Sequence, residues 1–236
     1  IGGNLHVAKK PPFKGKFEWA IDYYKSMAKK LNITMKLGKE VTAQEVLALK
    51  PYSILVATGS NVISIPLEGL DQVQTVQAHD VLANDMQFAN KKVVVIGGGI
   101  TGLETALYIN RQGTNQVSVV DMLPEWPVDM LDMRYQNEAL LEVRHCNDQG
   151  VALFYNNKVV KFADGKLFIE STKDGEVKEL PADVIVLSVG VKPNDALWQE
   201  LLASGHPSVW KAGDAIATGK INKAVLHGSK FGYSLN

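Results

Sequence analysis

The stretch Val93-Val94-Val95-Ile96-Gly97-Gly98-Gly99-Ile100-Thr101-Gly102 constrains this chain more than any other. Four successive β-branched residues suit a strand buried on both faces, and the glycines after them permit a turn tighter than other residues allow. Leu103, Ala106 and Leu107 then recur at helical spacing as far as Gly113, which sits where a C-cap belongs. The pattern predicts a strand over 93–96, a helix over 100–112 and a second strand over 116–121. Gly97, Gly99 and Gly102 satisfy G-x-G-x-x-G. The first permits the turn, the second lets a pyrophosphate approach the backbone, and the third lets the helix pack close to the strand. The unpaired N–H groups at the helix start, around Ile100 and Thr101, and the positive end of the macrodipole supply an anion site.

Asp121 closes the second strand, 19 residues beyond Gly102, where a carboxylate can accept hydrogen bonds from a ribose 2′-hydroxyl. The same charge repels a 2′-phosphate, and Met122 to Trp126 include no Arg or Lys to neutralise one. NADH is therefore expected to bind in preference to NADPH. Glu104 is read in the first helical turn, where the dipole alone favours a carboxylate, with a place near a nicotinamide as the alternative.

Elsewhere the periodicity predicts a helix from Phe17 to about Leu31, a strand at 33–37, and a short helix opened by Thr42 and closed before Pro51. A strand ends at Ala57-Thr58-Gly59-Ser60, and residues 62–92 read as a crossover with a short helix near Val81. A long helix is expected over about 131–146. Short strands follow at 151–155, 158–162, 167–171 and 177–180, with hairpin signals at Asp164-Gly165 and Asp174-Gly175, so an antiparallel meander is expected between about 151 and 180. The apolar run at 184–190 is a buried strand. A helix opens after Pro193-Asn194, a strand leads into Gly213-Asp214-Ala215, and a last helix begins near Ile221. No repeat of solenoid length occurs.

Lys plus Arg equals Asp plus Glu at 25 each, with no basic block, so charge gives no case for a nucleic-acid partner. No apolar segment approaches the roughly 20 residues of a membrane span, and no membrane association is expected. The single cysteine, Cys146, leaves no CxxC pair, reads as a bystander near a helix end, and fits a reducing cytoplasm. His6, His79, His145, His206 and His227 lack metal-ligand spacing, so no metal site is expected.

The segments 2–14, 54–60, 93–106, 184–194 and 209–215 resemble, in order and spacing, the two-dinucleotide flavoprotein reductases. The opening Gly2-Gly3-Asn4-Leu5-His6 is most similar to the C-terminal portion of the NADH:flavin oxidoreductases that include 2,4-dienoyl-CoA reductase, 2-enoate reductase and trimethylamine dehydrogenase. The resemblance implies an α/β architecture in which an NAD domain is inserted into an FAD domain, three-layered, with a central parallel sheet and an antiparallel meander. It implies a partial FAD-binding domain at 1–85 and 195–236 and an NAD-binding domain at 86–194. It implies further that Gly2, Gly3, Gly59, Gly213, Asp214 and Ala215 lie along FAD, with Asp214 toward the ribityl chain, and that Gly190 joins the cofactor-binding set. The family's first FAD-binding strand and glycine turn, and its N-terminal flavin barrel with FMN and an iron-sulfur cluster, are not in this sequence. The chain is therefore expected to be a portion of a longer enzyme, to lose FAD and activity on its own, and perforce to rely on that barrel as partner, with a homo-oligomer as a further expectation. The function implied is transfer of a hydride from NADH to FAD, needing no side-chain acid or base. The alternative is a non-catalytic module that binds ADP.

Overall fold

The computed structural model describes residues 1–124 and 133–235. In chain order the helices are α1 (Leu5–Ala8), α2 (Phe17–Lys30), α3 (Ala43–Ala48), α4 (Ala78–Ala83), α5 (Ile100–Asn110), α6 (Met133–Asp148), α7 (Ala196–Ala203) and α8 (Ile221–Tyr233). The strands are β1 (Ile54–Val56), β2 (Ser60–Val62), β3 (Gln74–Gln77), β4 (Lys92–Ile96), β5 (Gln116–Val120), β6 (Ala152–Phe154), β7 (Asn157–Ala163), β8 (Lys166–Ser171), β9 (Val177–Pro181), β10 (Val184–Leu187), β11 (Val191–Pro193) and β12 (Val209–Lys211). They form two compact units, Ile1–Ile33 with Ser64–Val189, and Thr34–Ile63 with the chain from Gly190 onward.

The larger unit is built on a five-stranded parallel sheet of order β3-β10-β4-β5-β6. Alternation along β4 explains its layers. Val93 and Val95 join Leu103 and Leu107 of α5, Val143 and Cys146 of α6 and Val81 of α4 in one core. Val94 and Ile96 point the other way, into a core with Phe162, Leu167 and Ile169 of the antiparallel sheet β7-β8-β9. A strand buried on both faces must be apolar at every position, which is why β4 and β10 show no polar alternation. Each such side chain contributes on the order of 1.5–3 kcal/mol. The helix, sheet and meander layers are those expected.

Several elements depart from the sequence reading. The strand at 151–155 is not part of the meander: β6 pairs in parallel with β5 and completes the central sheet, so the antiparallel part runs from β7 to β9. Its hairpins turn as their sequences dictate, with Asp164 and Gly165 at φ 50° and 74°. Residues 33–37 form no strand and pair with no described strand. The crossover contains an unexpected edge strand, β3, whose residues Gln74 and Gln77 give it little apolar signature. The long helix is observed from Met133, and the start expected near 131 lies outside the described residues.

The smaller unit holds a parallel pair, β1 with β12, and an antiparallel pair, β2 with β11. Its core consists of Ile54, Val56 and Leu201, with Leu47, Leu197 and Trp198 packed around them. The cap expected at Thr42 is present. Its Oγ1 accepts from the Glu45 amide at 3.3 Å, and Glu45 Oε2 accepts from the Thr42 amide at 3.0 Å.

The compact units are bounded at Ile33, Ile63 and Val189. Residues 1–33 belong to the unit of the central sheet, where α1 packs on α4. Lys10 pairs with Asp85, Lys14 pairs with Glu104 and, at 2.9 Å, with Glu138, and Phe13 lies between the Arg111 guanidinium at 4.6 Å and the His145 ring at 5.1 Å.

Candidate dinucleotide-binding site

The chain leaves β4 at Ile96, turns at Gly97, and enters α5 at Ile100. Gly97 has φ 108°, and a Cβ there would lie 2.2 Å from the Ser188 carbonyl oxygen, so side chain and backbone conformation both demand glycine. At Gly102 a Cβ would lie 1.9 Å from the Gly97 oxygen, which confirms that this glycine closes helix against strand. Gly99 differs: nothing lies within 4 Å of its Cβ position. The first intrahelical bond runs from the Leu103 amide to the Gly99 oxygen at 3.0 Å. The amides of Ile100, Thr101 and Gly102 therefore have no intrahelical acceptor. The open space at Gly99 lies beside these donors, an arrangement that can receive an anion.

Asp121 stands next to that space. Its Oδ2 accepts from the Gly98 amide at 2.6 Å and its Oδ1 from the Leu123 amide at 2.8 Å, so the carboxylate is held in place at the end of β5. Both oxygens keep a lone pair for a further donor. Gly98, a residue the motif leaves unspecified, donates one of these bonds from a crowded position. A Cβ there would stand 3.1 Å from Asp121 Cβ and from Tyr155 Cε1. The middle glycine of the run is the available signal for it.

Glu104 lies one turn further into α5 than the sequence suggested, since the helix begins at Ile100 and its first turn contains no acid. It is 7% exposed and pairs with Lys14. Burial pushes its carboxyl above the ordinary range, opposed by the hydrogen bond and charge of Lys14. Burial disfavours the Lys14 ammonium in turn, but Glu104 and Glu138 outweigh it and hold the lysine above its usual value. No sequence signal marks this pairing across 90 positions.

The residues expected along FAD fall into two groups. Gly59, Gly213, Asp214, Ala215 and Gly190 belong to the smaller unit, whereas Gly2 and Gly3 form the turn into α1 in the larger one. Within the smaller unit Gly59-Ser60 and Gly213-Asp214 come together. Ser60 Oγ donates to Asp214 Oδ2 at 3.4 Å, and Asp214 Oδ1 accepts from the Gly219 amide at 3.0 Å. Gly190, at φ 101°, heads β11 and accepts from the Ile63 amide at 3.0 Å. Cys146 is buried, and burial pushes its thiol up to about 12, leaving it protonated and inert. Among the described residues no cluster of His, Cys, Asp or Glu side chains could hold a metal ion, and no helix is long and apolar enough to cross a membrane.

A glycine turn between a buried parallel strand and a helix, with a fixed acid on the next strand, defines a dinucleotide-binding α/β protein. Residues 15–226 match the pyridine nucleotide-disulphide oxidoreductase family, and the chain belongs to it. This is a family of flavin-dependent oxidoreductases that use FAD and NAD(P). The chain is 33% identical over 194 residues to the bilirubin reductase of Mediterraneibacter gnavus (strain CC55_001C), covering 82% of this chain and 29% of that protein. It is 30% identical over 243 residues to the NADH oxidase of Thermoanaerobacter brockii, covering 100% of this chain and 36% of that one. Among solved structures, a 2-naphthoyl-CoA reductase superposes with TM-score 0.86 at 27% identity, over 98% of this chain and 34% of its own. These similarities bear out the resemblance to NADH:flavin oxidoreductases. The chain spans about a third of the length of the relatives it matches.

Proposed function

We propose that this chain is the pyridine-nucleotide-binding part of a flavin-dependent oxidoreductase that takes electrons from NADH. The observation that carries the reading is the cradle at Gly99, with the amides of Ile100, Thr101 and Gly102 beside it and Asp121 fixed at its edge. Bound together, NADH and FAD supply hydride transfer between nicotinamide and flavin. The protein's own part is to bind and orient. The α5 N-terminus receives the pyrophosphate, and Asp121 accepts from the adenosine ribose hydroxyls and disfavours a 2′-phosphate. Gly59, Gly190, Gly213, Asp214 and Ala215, together with Gly2 and Gly3, are assigned to the flavin side. The acceptor beyond FAD is a partner domain with its own FMN and iron-sulfur centre, and the reaction draws on the cytoplasmic NADH pool.

Titration of the chain with NADH, followed by nucleotide fluorescence, tests the reading. Saturable binding that competes with ADP is expected. Failure of both nucleotides to bind at concentrations up to about 1 mM, the upper end of common cofactor affinities, would overturn it.

A further inference from the structure

Ser188 follows β10 directly and lies beside the glycine turn, within the segment 184–194 but with no role assigned to it above. In the parallel register Leu187 stands opposite Ile96, which places Ser188 opposite Gly97. Its amide donates to the Ile96 oxygen at 2.8 Å, and its carbonyl oxygen is the atom that forbids a Cβ on Gly97. Its Oγ would lie 3.3 Å from a Cβ on Gly102. The hydroxyl is thus at the first turn of α5, half-buried, and among the described residues it has no hydrogen-bond partner. Half-buried, the hydroxyl is not an unsatisfied core group and remains accessible to a ligand.

Sheet order gives the hydroxyl a role. The chain runs from β4 through α5 to β5 on one side, while β10 flanks β4 on the other, so the strand order reverses between β4 and β10. A ligand of an open α/β sheet lies across the carboxyl ends of the strands at such a reversal. With the adenosine ribose at Asp121 on β5 and the pyrophosphate over the turn after β4, the next group along the dinucleotide comes over β10. That group is the second ribose. Neighbouring strands lie about 4.8 Å apart, a step that matches one phosphate-to-sugar linkage.

We infer that Ser188 is a positioning residue whose hydroxyl hydrogen-bonds the nicotinamide-side ribose of the bound dinucleotide. The inference rests on the nucleotide-binding reading above. It assigns a polar contact to β10, distinct from the Asp121 contact on β5, and orients the half of the cofactor that carries the reactive ring.

Three nucleotides separate the possibilities: ADP, which lacks the second ribose; ADP-ribose, which has it but no nicotinamide; and NADH. Equilibrium titrations of wild type, Ser188→Ala and Ser188→Thr are compared, with thermal melts confirming that each is folded. Ser188→Ala is expected to weaken ADP-ribose and NADH about three- to tenfold, the effect of one neutral hydrogen bond, and to leave ADP unchanged. Ser188→Thr, which keeps the hydroxyl, is expected to stay nearer wild type. Unchanged affinity of Ser188→Ala for all three, or equal weakening of ADP, would overturn the assignment while leaving the nucleotide site standing. If wild type binds none of the three, the nucleotide-binding reading fails and this inference falls with it.

Discussion

Two residues of the same glycine motif carry different burdens. A methyl group at position 102 would meet backbone at 1.9 Å, whereas one at position 99 would meet nothing. Gly102→Ala is therefore expected to lower stability by about 3 kcal/mol or more. Gly99→Ala is expected to cost less than about 1 kcal/mol, yet to weaken NADH about tenfold or more by filling the pyrophosphate cradle. Denaturant unfolding and NADH titration of both variants check this split, and equal losses of stability would contradict it. Lys14 makes a second prediction. Lys14→Met removes the counter-ion of a buried carboxylate and should cost about 2 kcal/mol near neutral pH, between the values for exposed and fully buried pairs. With Glu104 raised, the folded variant binds a proton more tightly than the unfolded chain. Its stability should recover as pH falls through that raised value, and the gain should be complete below the ordinary carboxyl value of 4.5. The stabilisation from the raised Lys14 has the opposite limit: it is present below the lysine's unfolded value and lost as pH rises through the folded one. Thermal melts of both proteins between about pH 5 and 8 should show the gap narrowing toward acid. A gap independent of pH would mean that Glu104 does not carry the loss.

At the scale of elements, what the sequence made legible was whatever a local pattern encodes. The strand, turn, helix and strand from Lys92 to Val120 follow from consecutive apolar residues and glycine placement, and the Thr42 cap from Thr-x-x-Glu. Pairing is not encoded locally. The run Ile33, Met35, Leu37 has the alternation of a strand but lies beside none, and the run at 151–155 joins the parallel sheet because α6 returns it beside β5. Polar edge strands such as β3 carry too little apolar signal to be seen. In the site, Gly97, Gly99, Gly102 and Asp121 were legible from spacing, while Gly98, Ser188 and Lys14 became visible only through contacts between distant segments. The Thr42 cap offers an element-scale test, because α3 has only six residues, none of them buried, and depends on its ends. Thr42→Ala should remove about 1 kcal/mol and raise amide exchange in α3 without altering α5. Unchanged exchange in α3 would show that the cap contributes nothing there.

At the scale of the molecule, the two units differ in how much apolar surface they bury. The larger unit encloses both faces of a five-stranded sheet, whereas the smaller has one small core cluster around Ile54, Val56 and Leu201 and a last helix, α8, with no buried residue. Amides of Thr34–Ile63 and of the chain beyond Gly190 should accordingly exchange before those of β4, β5 and β10, which hydrogen exchange followed by mass spectrometry can resolve. Uniform exchange across both units would contradict that ordering. The proposed nucleotide site lies in the larger unit, where β4 and β5 hold turn and acid in register. Its selectivity is the claim most open to direct measurement, by calorimetric titration of NADH and NADPH into wild type and Asp121→Ala. The wild type should bind NADH more tightly than NADPH, and Asp121→Ala should narrow the gap. Loss of a charge-assisted hydrogen bond of about 1.5–3 kcal/mol corresponds to about one to two decades in NADH affinity. Equal affinities for the two nucleotides in the wild type would contradict the role given to Asp121.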